Sequence, residues 1–408
     1  MKLQALSLIF LLCLNAHSQD KSPDPRKNEV PLPALSEWRA SLIYESDVGI
    51  WTVGTLNCFQ QYGCPDVFGL DDRGRCTILS SYSGKWTPHQ TVEDGAWLGA
   101  LCRVDLDPSL DGPEIYTGGK KGNLYQIRPT AHGGFDVRLV LHVPDEEIHT
   151  LVAGDLLPER PGEEMLLFSR SGLVFDVSAP PKTTEPFEKR LVARLPGRVR
   201  QAFLLPRRTA EPPWIVAACR FGAIKLLRLR RDGLEQETIL DEDMGFGRIG
   251  IAPARNRGND VLYATRDDGV ILRLEGHPGG SWKREVIYAG PQGARGVVGG
   301  RFAADPAVET VAVFGYSRKI QLLSRAPGEP WRVETLFVDR DKGHWLSVAE
   351  LDGRNATQEL IASGYGGRIV LLARPPGYGL SDVPTAADAK GNPPCACGTG
   401  VSSKPDAP

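Results

Sequence analysis

The sequence predicts an all-β fold, a seven-bladed β-propeller with four-stranded blades, on three observations. Landmark residues recur at nearly constant spacing, the segments between them are short apolar runs of strand length, and the two ends of the chain supply complementary parts of one unit. A period of about 50 residues with several strands per unit belongs to a propeller. Solenoids of that period are usually helical, and the chain has no sustained 3.6-residue periodicity.

The first landmark is a hairpin glycine: Gly74, Gly122, Gly172, Gly222, Gly269 and Gly367, with Arg318 in the sixth place, at steps of 47 to 50 residues. Glycine suits a tight turn between strands because positive φ costs it little. The second is an acid before the inner apolar strand, at Asp66, Glu114, Glu164, Asp260, Glu309 and Glu359, with Trp214 in the fourth place. Runs such as IYTG, MLLF and VLYA follow it. The third is a bulky apolar residue that opens a further strand, at Trp86, Phe135, Phe187, Leu234, Trp282 and Trp331. The segment WKREVIYAG is echoed by WRVETLFVD, and Lys283 to Tyr288 alternates, imperfectly, as a half-buried strand does.

The seventh member of the third row lies at the other end of the chain. Trp38 opens WRASLIYES, 48 residues before Trp86, while the last unit, His344 to Arg374, lacks an outer strand of its own. A ring accounts for both facts, with the N-terminal strand pairing onto the C-terminal hairpin so that the seam leaves no open sheet edge.

These boundaries divide the chain into a signal peptide (1–18), a flexible linker (19–37), the propeller (38–373) and a disordered Pro/Gly/Ala/Ser tail (374–408). The signal is read from Lys2, the apolar stretch Ala5 to Leu14, too short to span a bilayer, and the small-x-small site Ala16-His17-Ser18. The expected location is therefore secreted or periplasmic. Linker and tail hold too few bulky apolar residues to offset their ordering entropy. With 41% hydrophobic residues the chain can fill small cores between blades, and its 45 glycines and 32 prolines fit many turns. A formal charge of −2 without any polybasic run argues against nucleic acid as a partner.

Of the eight cysteines, seven would follow the cleavage site. Cys58 and Cys64 flank a short polar loop and are the expected disulfide, with two free thiols as the alternative. Cys76, Cys102 and Cys219 fall in strand-like runs and read as small buried hydrophobes. Cys395 and Cys397 lack the second ligand pair of a zinc site. The turn Asp105-Leu106-Asp107-Pro108-Ser109-Leu110-Asp111-Gly112 groups three carboxylates but departs from the DxDxDG spacing. A solvated turn is expected there, with no cofactor, and a divalent cation is the lesser alternative.

The chemistry-bearing row is the start of each innermost strand: Trp51, Trp97, His149, Arg200, Arg248, Arg295 and His344, at steps of 46 to 52 residues. Trp345 is an alternative to His344. In a propeller this end of the first strand sits at one mouth of the axial channel, so the seven would gather around one opening. Guanidinium forks pair with carboxylate or phosphate, indoles offer flat faces, and imidazole exchanges protons near neutral pH. The combination suits an anionic ligand such as a uronate-bearing saccharide. The competing expectation is that each Arg merely pairs with a neighbour such as Asp47, Asp94, Glu146 or Glu147, and a one-residue slip would turn every side chain to the other face.

The units SVAELDGRNATQELIASG and VAGDLLPERPGEEMLLFSRSG resemble the FG-GAP or VCBS-like propeller repeat. In that repeat an inner strand ends in a Gly-Asp-Leu or Asp-Gly turn before an acid-led apolar strand. Gly154-Asp155-Leu156 and Leu351-Asp352-Gly353 fit best, Val104-Asp105-Leu106 fairly, and Leu205-Pro206-Arg207 and Ala252-Pro253-Ala254 poorly. The resemblance covers residues 38–373 and implies adhesion or surface binding, with calcium in the turns that keep their aspartates. It is similar as well to the rings of secreted polysaccharide lyases and of aldos-2-ulose dehydratase.

Two functions follow. One is a secreted binding or scaffold protein that takes an anionic ligand, a glycan or a protein, as a monomer at the channel mouth through Trp51, Trp97, Arg200, Arg248 and Arg295. The other is a carbon–oxygen lyase or dehydratase acting on uronate-type or ulose substrates. There the arginines would neutralise a substrate carboxylate and His149 or His344 would abstract the adjacent proton.

Overall fold

A computed structural model describes residues 28–379 except 59–64, 82–84, 131, 161, 181–184, 207–210, 253–258, 352 and 354. The expected signal peptide, Cys64, Cys395 and Cys397 lie outside the described residues. Among those described, every regular element is a strand, 29 in all, and no helix is long and apolar enough to cross a membrane.

The strands form seven antiparallel sheets, six of them simple up-and-down meanders and the seventh completed by strands from the N-terminus. Their first strands are β3 (Ile50–Leu56), β7 (Leu98–Val104), β11 (Ile148–Gly154), β15 (Val199–Leu204), β19 (Phe246–Ile251), β23 (Ala294–Gly299) and β27 (Gly343–Ala349). Each of these packs beside the first strand of the next sheet, and β27 packs beside β3, so the ring is closed. Blades one to seven are named here by these strands in order.

Closure is by the N-terminus. The strand β2 (Arg39–Glu45) pairs antiparallel with β29 (Arg368–Ala373), placing Ala40 opposite Leu372 and Ser41 opposite Leu371. A fifth strand, β1 (Val30–Leu32), then pairs with β2. This corrects the linker expectation for its last part. Leu32 and Ala34 pack on the apolar cluster around Trp38 and so have burial to offset their ordering. The chain just before β1 also reaches blade one, where Asn28 Nδ2 donates to the Trp86 carbonyl at 2.9 Å and Trp86 N donates to Asn28 Oδ1 at 2.8 Å. The start of the expected tail is likewise ordered: Ala356 N donates to the Tyr378 carbonyl at 3.0 Å, and Arg374 stacks on Tyr378.

The core is distributed as seven apolar clusters, one at each boundary between adjacent blades. This explains the bulky row of the sequence. Trp38, Trp86, Phe135, Phe187, Leu234, Trp282 and Trp331 each fill the boundary with the preceding blade. The acid row is architectural as well. Glu164 Oε2 accepts from the Leu156 and Leu157 amides at 2.9 Å, Glu359 from Leu351, and Asp66 from Cys58, so each buried carboxylate closes the loop before its own strand.

The hairpin glycines have φ between 70° and 96°, and Arg318 takes the same conformation at 65°. Cys58, Cys76, Cys102 and Cys219 form no disulfide with one another. In the acidic turn, Asp107 Oδ1 accepts from the Ser109 amide, and the described residues hold no group of three or more side chains that could hold a metal ion.

Candidate functional site: the arginine and aromatic mouth

Each inner strand carries an irregularity at its start, and this decides which side chains meet. Ile50 pairs with Asp71 and Thr52 with Leu70, so Trp51 is an extra, unpaired residue. The same bulge falls on His149, Arg200, Arg295 and His344. A bulged residue is re-aimed out of the pleat, and here its side chain meets residues of the neighbouring blades.

In blades two and five the row deviates from the sequence reading. The extra residue of blade two is Gly99, between Leu98 opposite Gly119 and Ala100 opposite Gly118. Trp97 stands two places earlier, and its ring covers that glycine so closely that a Cβ there would lie 2.4 Å from it. In blade five Phe246 pairs with Arg266 and Ile249 with Ala264, which puts Gly247 in the row and Arg248 one place later. Glycine leaves the space that the Trp97 indole occupies at Gly99, and at Gly247 it lets Thr265 Oγ1 and the Ala294 carbonyl come within 2.6 and 2.8 Å of where a Cβ would lie.

All seven predicted side chains nevertheless converge. The Trp51 ring lies 4.3 Å from His344 and 6.2 Å from Trp97, and Trp97 lies 4.8 Å from His149. His344 Nδ1 hydrogen-bonds the Trp51 carbonyl at 2.7 Å across the seam. Arg248 stacks on Trp345 at 4.3 Å and donates to the Arg200 carbonyl at 2.8 Å. Arg200 donates to Asp267 at 2.7 Å, and Arg295 pairs with the same carboxylate oxygen. None of the three row arginines pairs with Asp47, Asp94, Glu146 or Glu147; Glu147 instead holds Arg170 at 2.7 Å.

A second row encircles the first. The residue two before each hairpin position (a glycine, or Arg318 in blade six), namely Asp72, Lys120, Arg170, Arg220, Asp267, Tyr316 and Tyr365, donates its amide to the chain entering the same blade. These residues supply the partners: Asp72 accepts from the Trp51 indole, Tyr365 packs 5.6 Å from that ring, and Arg295 stacks on Tyr316 at 4.9 Å. They were legible in the sequence by offset from the glycines but not by composition, since acids, bases and phenols alternate.

The mouth is therefore divided. Blades seven, one and two present Tyr365, His344, Trp51 and Trp97, while blades three to six present Arg170, Arg198, Arg200, Arg220, Arg248 and Arg295. Among the described residues no carboxylate forms an ion pair with Arg198 or Arg248, and the Nε of each is buried without a partner. Burial, reinforced by Arg200, Arg220 and Arg170, pushes Arg198 down to about 10. Burial and then Arg200 and Arg295 hold Arg248 well below its usual range. Burial is also the main reason His149 falls to about 2, with Arg198 and Arg248 next, and His344 is lowered for the same two kinds of cause. Burial opposes ionisation of Asp267, but the hydrogen bond and charge of Arg200, then of Arg295, outweigh it and lower its pKa.

The recess beside Trp51, Asp72 and Tyr365 leaves no room for a water molecule, and the one beside Tyr316 holds about 20 Å³. Both are far below the ~300 Å³ at which small-molecule pockets begin. The mouth thus offers a surface to lie across rather than a chamber that encloses a substrate.

No protein-family profile and no curated protein matches the chain. Solved structures do. The WD40 β-propeller domain of Doa1 is 13% identical with a TM-score of 0.55, covering 82% of this chain and 95% of that one. BBS1N, crystallised in complex with ARL6DN, is 12% identical with a TM-score of 0.56, covering 83% of this chain and 98% of that one. The chain is a seven-bladed β-propeller. At such identities the likeness to these propellers is one of fold, and the mouth must be read from its own residues.

Proposed function

We propose that the protein is a secreted, monomeric binding propeller that takes an anionic glycan of the uronate kind across the mouth formed by Trp51, Trp97, Arg200, Arg248 and Arg295. One observation carries the reading: among the described residues no carboxylate forms an ion pair with Arg248 in the mouth, and its Nε is buried without a partner. A desolvated guanidinium without a counter-charge is costly, and a ligand carboxylate that pairs with its fork relieves the cost. The Trp51 and Trp97 rings, on the opposite arc, offer flat faces for a pyranose. The signal-like stretch Ala5 to Leu14 supports secretion, and the FG-GAP-like turns support a binding role.

The lyase reading has weaker support. Proton abstraction next to a carboxylate calls for a base whose pKa is near the working pH. His149 lies near 2, and His344 is buried and committed to the Trp51 carbonyl.

Calorimetric titration with a uronate oligosaccharide and with a neutral one of equal length tests the proposal. Binding is expected for the uronate only. Arg248→Ala and Arg295→Ala should each weaken it roughly tenfold, the scale of one charge-assisted hydrogen bond. Equal binding of the neutral sugar, or unchanged affinity in both variants, would overturn the reading. Release of unsaturated product that is lost in His149→Ala would favour the lyase instead.

A further inference from the structure

Resting on the reading of the mouth as an anion site, we infer that Trp345 is its positioning residue: the indole holds the Arg248 guanidinium in place to receive the anionic group of the ligand. Arg248 Cζ lies 4.3 Å from the centroid of the Trp345 ring, over its face. Trp345 belongs to blade seven and Arg248 to blade five, so the contact passes the inner strand of blade six. Gly296 in that strand permits the approach of blade seven, since a Cβ there would lie 2.8 Å from the Leu346 amide nitrogen and 3.0 Å from the Trp345 carbonyl carbon.

Arg248 is fixed by neutral groups. Its Nη1 donates to the Arg200 carbonyl at 2.8 Å and to the Gly247 carbonyl at 3.3 Å, while the indole lies under the plane of the fork. Arg200 and Arg295 are held differently, by the carboxylate of Asp267. A carboxylate fixes a guanidinium and cancels its charge, whereas carbonyls and an indole fix it and leave the charge to a ligand. Such support is needed, because burial and then Arg200 and Arg295 disfavour the charged form of Arg248. The negative face of the indole offsets part of that cost.

The platform is itself held. Trp345 stands opposite Ser363 in the ladder and packs on the apolar cluster that contains Ile50, Ile361 and Ile369. A guanidinium kept flat on such a support loses little freedom when a ligand arrives. The two neighbours in blade seven thus divide the work. His344 takes the bulge and the bond to the Trp51 carbonyl, and Trp345 carries Arg248.

Titration of the wild type, Trp345→Phe and Trp345→Leu with sodium sulfate and with a uronate oligosaccharide, followed by the Arg248 Nε–H resonance, tests the inference. Sulfate should shift that resonance in the wild type. Trp345→Leu keeps apolar bulk without a ring and should bind sulfate roughly tenfold more weakly. Trp345→Phe keeps a weaker face and should lose roughly threefold. Thermal scans separate packing from positioning: a purely structural Trp345 would lower the transition in both variants and leave the sulfate affinity of the folded protein unchanged. That result, or a wild-type Arg248 resonance that sulfate does not move, would overturn the inference. If Trp345→Leu does not fold, Trp345→Phe decides by the same criterion. Sulfate binding that depends on Trp345, without any uronate binding, would sink the glycan reading and leave the positioning role standing.

Discussion

Arg200 donates from Nη1 to Asp267 Oδ1 at 2.7 Å, reaching from the inner strand of blade four to the hairpin of blade five. Arg295 of blade six meets the same oxygen, so one carboxylate joins three blades at the mouth. It is the counter-ion that Arg200 and Arg295 share, as Glu147 is the one that holds Arg170.

Replacing Asp267 with Asn should leave two guanidiniums facing each other. The loss is expected to be roughly 3 kcal/mol, the lower end for breaking a buried pair, because the Asp267 side chain keeps 28% exposure. Added uronate or sulfate should restore part of the thermal stability by binding the freed arginines. Asp267 is lowered from 3.8, so its contribution is present above that pH and fades as the pH falls below it through the folded value. Thermal scans from pH 6 to about 2 should show less acid loss over that window in Asp267→Asn than in wild type.

His149 works in another window. Its folded value near 2 lies below the ordinary 6.5, so the unfolded chain binds the extra proton and stability declines as the pH falls from 6.5. The slope for one such group is at most about 1.4 kcal/mol per pH unit. In His149→Gln the stability curve between pH 6.5 and about 4 should be flatter; an identical curve would show that burial of this imidazole carries no proton cost.

The seam predicts a graded response to truncation. Removing residues 19–32 takes β1 and the Asn28–Trp86 bonds but leaves β2, and should lower stability by about 1 kcal/mol per hydrogen bond lost. Removing residues 19–46 takes the strand that pairs with β29 and should abolish the cooperative transition, because it opens the ring and uncovers the cluster around Trp38. Urea melts of both truncations measure the difference.

Arg318 is an exposed non-glycine residue in the left-handed conformation at the hairpin position. Arg318→Gly should stabilise the fold by about 1 kcal/mol, the cost of that conformation for a residue with a Cβ. Gly222→Ala should do the reverse and by more, since its Cβ would lie 1.7 Å from the Glu242 carbonyl oxygen. Chemical denaturation of the two variants should move the midpoint in opposite directions.

The chain by itself determined the number of blades, the hairpin positions and the boundary-filling residues from Trp38 to Trp331. Each of these is set within one unit and repeated by the period, so a spacing is enough to find it. It also placed Trp51, His149, Arg200, Arg295 and His344 in the correct row. Only the tertiary structure decided that Gly99 and Gly247 hold that row in blades two and five, because a bulge adds a residue without changing the period. Only it decided that Arg200 and Arg295 share Asp267 while, among the described residues, no carboxylate forms an ion pair with Arg198 or Arg248. Partners there come from different blades, brought together by closure of the ring, and no offset along one chain encodes which charge ends beside which.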